Sequence, residues 1–418
     1  MTIHTAAHDT TELQAAPQRY HAFDSLRAVM MLLGLVLHSA MGYVTFPTEG
    51  VWPFKDSTTS TVFDLLVMFI HTFRMPVFFV IAGFFAAFLY ITRGADSLLR
   101  NRGQRVALPL ACAWVVLFPL IIFLSGFAYT RSSIQVPIDP NDLTPFRLLN
   151  HLMHLWFLYD LLILYGVALL VAPMIQRIPQ AFQNSLLDGF DRAVPAIWGP
   201  IAFSAFTGLT LYPMDTWALD TSDSFLPPLR ILTAYGVFFA FGWLLYLKRA
   251  LLPTFRRRGW SNFFVGLLFL LLYIYCVGRV FTGGPTVALR WAAITSLAAA
   301  TWFFIYGFMG LFLRYLEKPM PLARYMADAS YWMYLVHMPC TIVLPALLTT
   351  LPLPLFIKFS LVLGSTTFFT VVTYHYCVRA TVIGKILNGR RYPRALPHIE
   401  LRHSVNQGHT SVGRGTAN

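Results

Sequence analysis

RYHAFDSLRAVMMLLGLVLH, residues 19–38, opens the first long apolar run of the chain, yet it carries Asp24, Arg27 and His38. Ionisable groups in a membrane segment cost roughly 2.5–3.5 kcal/mol each on insertion scales and usually mark a pathway or a site. Asp24 and Arg27 stand i, i+3 and can pair on one helix face, either as a plain ion pair at the interface or as part of a site. His38 lies eleven positions beyond Arg27. That is about three helical turns, close to the same face and about 16 Å deeper.

Working outward, the whole chain has this character. Its 418 residues are 57% hydrophobic and only 12% charged, with a mean hydropathy of +0.60. Soluble domains are nearer 45–50% apolar and about 25% charged. Apolar runs of about 20 residues recur along the chain, each long enough to cross a bilayer. The expected fold is therefore all-α, a polytopic transmembrane helical bundle. The net charge of +13 reads as Lys and Arg gathered in cytoplasmic connections, and no nucleic-acid partner is expected. Cys112, Cys276, Cys340 and Cys377 form no CxxC pair and read as free thiols. Residues 1–22 lack a removable signal pattern, so the first span should serve as an uncleaved anchor.

About ten spans follow: 23–46, 62–90, 106–127, 150–173, 195–212, 229–247, 261–281, 286–313, 329–350 and 354–378. The connections 91–105, 174–194, 248–260 and 314–328 are all basic. The alternate set, 47–61, 128–149, 213–228, 282–285 and 351–353, holds only Lys55, Arg131 and Arg147. That asymmetry places both termini in the cytoplasm. The chain then divides into a flexible tail over 1–18, a membrane domain over 19–380 and a basic tail over 381–418. Inverted repeats, the mark of many transporters, are not visible.

Further polar groups sit at membrane depth. His71 and Arg74 are i, i+3 in span two, at a depth similar to His38, and a transmembrane Arg must pair or face water. They suit either a site or helix-to-helix contact. Ala82 and Gly83 allow close approach of a neighbouring helix. Arg102 and Arg105 stand at the cytoplasmic mouth of span three, where Arg forks can bind phosphate or carboxylate. His151, His154, Trp156 and Tyr159 lie at the outer end of span four, without the Asp, Glu or Cys that would complete a metal site. His337 lies about a third of the way along span nine, and His375 near the inner end of span ten. Asp215, Asp220 and Asp223 make one outer connection acidic.

The order of these motifs resembles the integral-membrane acyltransferase-3 family: DSLR with His eleven positions after the Arg, FFVIAGF (78–84), Arg102-x-x-Arg105 before an apolar-Pro, HLWFLYDLL (154–162) and SYWMYLVHMP (330–339). The likeness covers about 19–380. Ala82 replaces the Ser more common in that family. IHTFRMPVFFVIAGFF and HLWFLYDLL are most similar to the branch that succinylates osmoregulated periplasmic glucans.

The resemblance implies a bacterial inner-membrane enzyme that moves an acyl group from cytoplasmic acyl-CoA (succinyl-CoA or acetyl-CoA) to a glycan hydroxyl. Its partners would be the lipid bilayer, the glycan acceptor and other glucan-biosynthesis proteins, and no metal is expected. It casts His38 as general base or acyl carrier, Arg74 as oxyanion donor and His71 as acceptor-orienting group. Arg27, Arg102 and Arg105 would hold the donor phosphates, with Asp24 positioning Arg27. His154, Trp156 and His337 would line the acceptor side. The rival readings are a multi-span transporter of a small anion or acyl metabolite, in which the same groups line a route, and a non-catalytic membrane scaffold.

Overall fold

The computed structural model of the protein describes residues 20–48, 52–133, 149–214, 218–284 and 286–394. The expected tail 1–18, the distal tail 395–418, Arg147 and Asp215 lie outside the described residues. Among the described residues there is no strand, only an isolated bridge between His151 and Ser224.

The long helices are α1 (His21–Ala40), α2 (Thr61–Arg102), α3 (Leu108–Tyr129) and α4 (Trp156–Ile175). The amphipathic α5 (Gln180–Ala193) and the short α6 (Gly199–Leu211) follow. Then come α7 (Leu229–Leu247), the small α8 (Leu252–Arg256), α9 (Gly259–Phe281), α10 (Thr286–Tyr315), α11 (Pro321–Leu348), α12 (Leu355–Thr373) and α13 (Val382–Asn388).

Eight helical stretches among the described residues are long and apolar enough to cross a membrane. This differs from ten for two physical reasons. One stretch, Thr61–Tyr129, runs 69 residues and contains two of the predicted spans. It breaks at Gly94, whose φ of 81° is non-helical, and continues through a π turn at Gly103–Ala107. The chain then returns. Phe63, Val67 and Ile70 share a buried cluster with Leu117, Ile121 and Ala128, and the Ser133 amide donates to the Lys55 carbonyl at 2.9 Å. The predicted fifth span falls on α6, whose 13 residues rise only about 20 Å.

The connections sort into two ends, as the charge pattern requires. At the basic end Lys248 pairs with Asp191, and Arg256 with Glu317. There Arg258 Nη1 also donates to the Pro195 carbonyl at 3.2 Å. At the other end Lys358 pairs with Asp56 at 3.1 Å, the Leu152 amide meets the Asp223 carbonyl, and Arg290 Nη2 donates to Met214 O at 2.9 Å.

Small residues set the tightest crossing. A Cβ on Gly83 of α2 would run into the Phe239 carbonyl of α7, and one on Gly242 of α7 into the Val80 carbonyl of α2. Close backbone approach of this kind is how helices associate where apolar burial gives no drive. The crossing holds α2, and with it Arg74, firmly against the core.

Candidate active site

α1 brings His38 into the bundle and α11 brings His337 to meet it. The two helices pack together, and the rings lie nearly coplanar, edge to edge, with centroids 4.9 Å apart at 9°. His38 Nδ1 lies 2.6 Å from His337 Nε2. His337 is buried and His38 keeps some accessible surface.

The proton positions on this pair follow from a carbonyl. His337 Nδ1 lies 2.7 Å from the Tyr334 carbonyl, which can only accept, so Nδ1 carries the hydrogen. In the neutral ring Nε2 then holds a lone pair and accepts from His38 Nδ1–H. That leaves His38 Nε2 as the free lone pair, the condition a general base must meet. His154 joins edge-on, its centroid 5.3 Å from that of His337. Its Nε2 donates to the Leu335 carbonyl at 3.0 Å. Its Nδ1 is buried without a partner among the described residues. The Tyr334 hydroxyl donates to the His154 carbonyl at 2.6 Å, which ties α11 to the turn that leads into α4.

Arg74 approaches from α2. It lies against Gly34, one turn before His38, where any Cβ would meet its guanidinium. Its Nη2 reaches Met75 Sδ at 3.3 Å. Nε and Nη1 are buried and without hydrogen-bond partners among the described residues. His71, a turn away, donates from Nε2 to the Leu219 carbonyl at 2.9 Å. Among the described residues, His337, Arg74, His154 and His71 are ionisable groups in electrostatic reach of His38.

Trp156 is buried with its ring 5.4 Å from that of Tyr235. Among the described residues, no group of three or more His, Cys, Asp and Glu is arranged to hold a metal.

Two residues near this cluster were not singled out by the sequence reading, one of them in electrostatic reach of Tyr334 and Tyr235. Asp160 on α4 is fully buried, with neither carboxylate oxygen hydrogen-bonded among the described residues. The signal was present, a lone carboxylate in an apolar run. Trp52, whose ring lies 5.7 Å from that of His38, carried no signal distinct from an interfacial aromatic.

The remaining expected residues lie at the basic end. Asp24 and Arg27 pair at 3.6 Å, and Arg27 Nη2 reaches the Ala327 carbonyl at 3.5 Å. Arg102 lies over the Tyr165 ring at 4.7 Å. Arg105 is in electrostatic reach of Arg102, Arg27 and Arg93. The expected residues thus fall into two groups, a histidine cluster in the interior and a cationic group at the basic end, joined by α1.

Residues 20–375 match the acyltransferase-3 family, described as an acyltransferase domain. This chain belongs to that family. Its membrane-length helices fit a multi-pass membrane protein. The chain is similar to Glucans biosynthesis protein C of Escherichia coli strain K12, at 30% identity over 172 residues. The same-named proteins of Escherichia coli O1:K1 / APEC and O157:H7 (strain EC4115 / EHEC) match at the same identity and length. Each match takes in 40% of this chain and 42% of the relative. No solved structure matches it significantly.

Proposed function

We propose that this acyltransferase moves a succinyl group from cytoplasmic acyl-CoA to a hydroxyl of a periplasmic glucan. The observation that carries the chemistry is the His38–His337 pair, whose hydrogen bonds leave one lone pair, on His38 Nε2, free for a proton. His38 Nε2 takes the acceptor's hydroxyl proton as its oxygen attacks the thioester carbonyl. The tetrahedral intermediate collapses, the C–S bond breaks, and the thiolate leaves with the proton from His38.

Arg74 offers two unpartnered N–H groups to the oxyanion. The charge rule, which turns the cationic end to the cytoplasm, supports the cytoplasmic membrane as location and Arg27, Arg102 and Arg105 as the donor's entrance. Glucan as acceptor rests on the printed name of the Escherichia coli relatives, and succinyl on the motif likeness.

Purified protein in lipid nanodiscs, given labelled succinyl-CoA and a periplasmic glucan fraction, tests this. Transfer should fall ~10²–10⁴-fold in His38→Ala, the usual weight of a positioned acid–base group. Normal transfer by a folded His38→Ala protein would sink the assignment.

A further inference from the structure

The chain beyond α12 does not trail from the bundle. After a π turn at Tyr374–Val378, α13 and the residues up to Arg394 fold back over the basic end. The fold-back is held at defined points. Gly389 ends α13 with φ 81°, a backbone that favours glycine, and a Cβ there would occupy the place of the Arg105 guanidinium. The Tyr392 amide donates to the Arg379 carbonyl at 3.1 Å, and its hydroxyl donates to Asp328 Oδ1 at 3.3 Å. Arg379 Nε donates to the Pro393 carbonyl at 2.9 Å.

Tyr392 is surrounded by cations. Arg390 lies over its ring at 4.5 Å, Arg379 at 5.1 Å and Arg324 at 6.0 Å. The Tyr392 phenol is also in electrostatic reach of Arg105. Like charges gathered on one ring repel, and with Asp328 as the carboxylate bonded to that ring the cations still outnumber it. Two further observations point the same way. Arg379 is 8% exposed with a buried Nη1 that has no partner among the described residues, and Arg102 Nε is in the same condition.

We infer that this strap, 379–394, is a wall of the donor entrance, and that Arg390 and Arg379 join Arg102 and Arg105 in binding the phosphates of the nucleotide end of acyl-CoA. The inference rests on the donor reading above. Guanidinium forks match phosphate oxygens two at a time. The strap carries them beside Arg105, which Gly389 abuts and which is in electrostatic reach of Tyr392. Tyr392 is a positioning residue and Arg390 a binding one.

The full-length protein in nanodiscs, assayed with succinyl-CoA and with succinyl-pantetheine, which lacks the nucleotide, tests this. Arg390→Ala should raise KM for succinyl-CoA about tenfold, the size of one lost charge-assisted contact. kcat should stay within about twofold, and KM for succinyl-pantetheine should not move. Tyr392→Ala should behave alike; if it fails to fold, Arg390→Ala carries the test alone. Equal rises with both donors, or none with either, would overturn the strap's role. A rise that appears only with anionic lipid present would assign the cations to lipid headgroups instead and overturn it too. A KM rise in Arg102→Ala with none in Arg390→Ala removes the strap and leaves the donor reading standing. A wild-type protein that uses no acyl-CoA removes both.

Discussion

Lys358 with Asp56, and Arg74 with Asp160, are two sets of buried charges in one bundle, and they are built in opposite ways. The first set is closed. Lys358 and Asp56 meet at 3.1 Å with side chains 5% and 0% exposed. The Thr58 amide donates to Asp56 Oδ1 at 2.9 Å, and Lys358 Nζ also donates to the Thr349 carbonyl at 3.4 Å. The second set is open. Asp160 is fully buried and Arg74 half-buried with its Nε and Nη1 atoms covered, but their polar atoms find no hydrogen-bond partner except Met75 Sδ among the described residues. Burial alone therefore does not mark a site. Unmet hydrogen-bonding capacity beside a histidine pair does, because a fold keeps such a cost only where something else repays it.

The comparison can be broken at either set. Asp56→Ala leaves Lys358 buried and uncompensated. It should destabilise the protein by about 3–5 kcal/mol, read as a large drop in the unfolding midpoint in detergent, with near-normal transfer per folded molecule. The double change Asp56→Leu with Lys358→Met should recover most of that loss. A stable Asp56→Ala protein with lost activity would mean the closed pair belongs to the site.

Arg74→Met should do the reverse. Removing a buried cation whose Nε and Nη1 are unpartnered should leave stability equal or raised, since an unpaired buried charge opposes folding. Transfer should fall ~10²–10³-fold, as when one oxyanion donor is lost. An Arg74→Met protein that unfolds readily would show that the guanidinium is structural and would erase the contrast with Lys358.

Much of this was legible in the sequence, and the failures have physical causes. Charge asymmetry between connections gave the ten passes, and contacts such as Lys248–Asp191 and Leu152–Asp223 sort the same connections into two ends. The two spans read within Thr61–Tyr129 are both there, divided at Gly94; the count fails at α6, whose 13 residues are short for a crossing. His38, Arg74 and His71 stood out because ionisable residues in apolar runs are costly. The same rule should have singled out Asp160 and Lys358, which the motif reading passed over. The pairing of His38 with His337, 299 positions apart, has no local signature. Nor does the strap, since Gly389 and Tyr392 gain meaning only from Arg105 and Asp328 beside them.

The smallest expected effect is the most specific to the site. His337 does not meet the acceptor in the proposed step; it fixes which nitrogen of His38 bears the proton. His337→Ala removes that partner and frees His38 to turn or to change tautomer. Transfer should fall ~10–100-fold, the usual cost of losing a group that orients a working one, and KM for the donor should stay put. His337→Gln can still offer an acceptor oxygen to His38 Nδ1–H and should restore part of the rate. A mere packing role would not distinguish Gln from Ala in this way. If both variants lose as much as His38→Ala, His337 itself handles the proton, and the free lone pair belongs elsewhere in the pair.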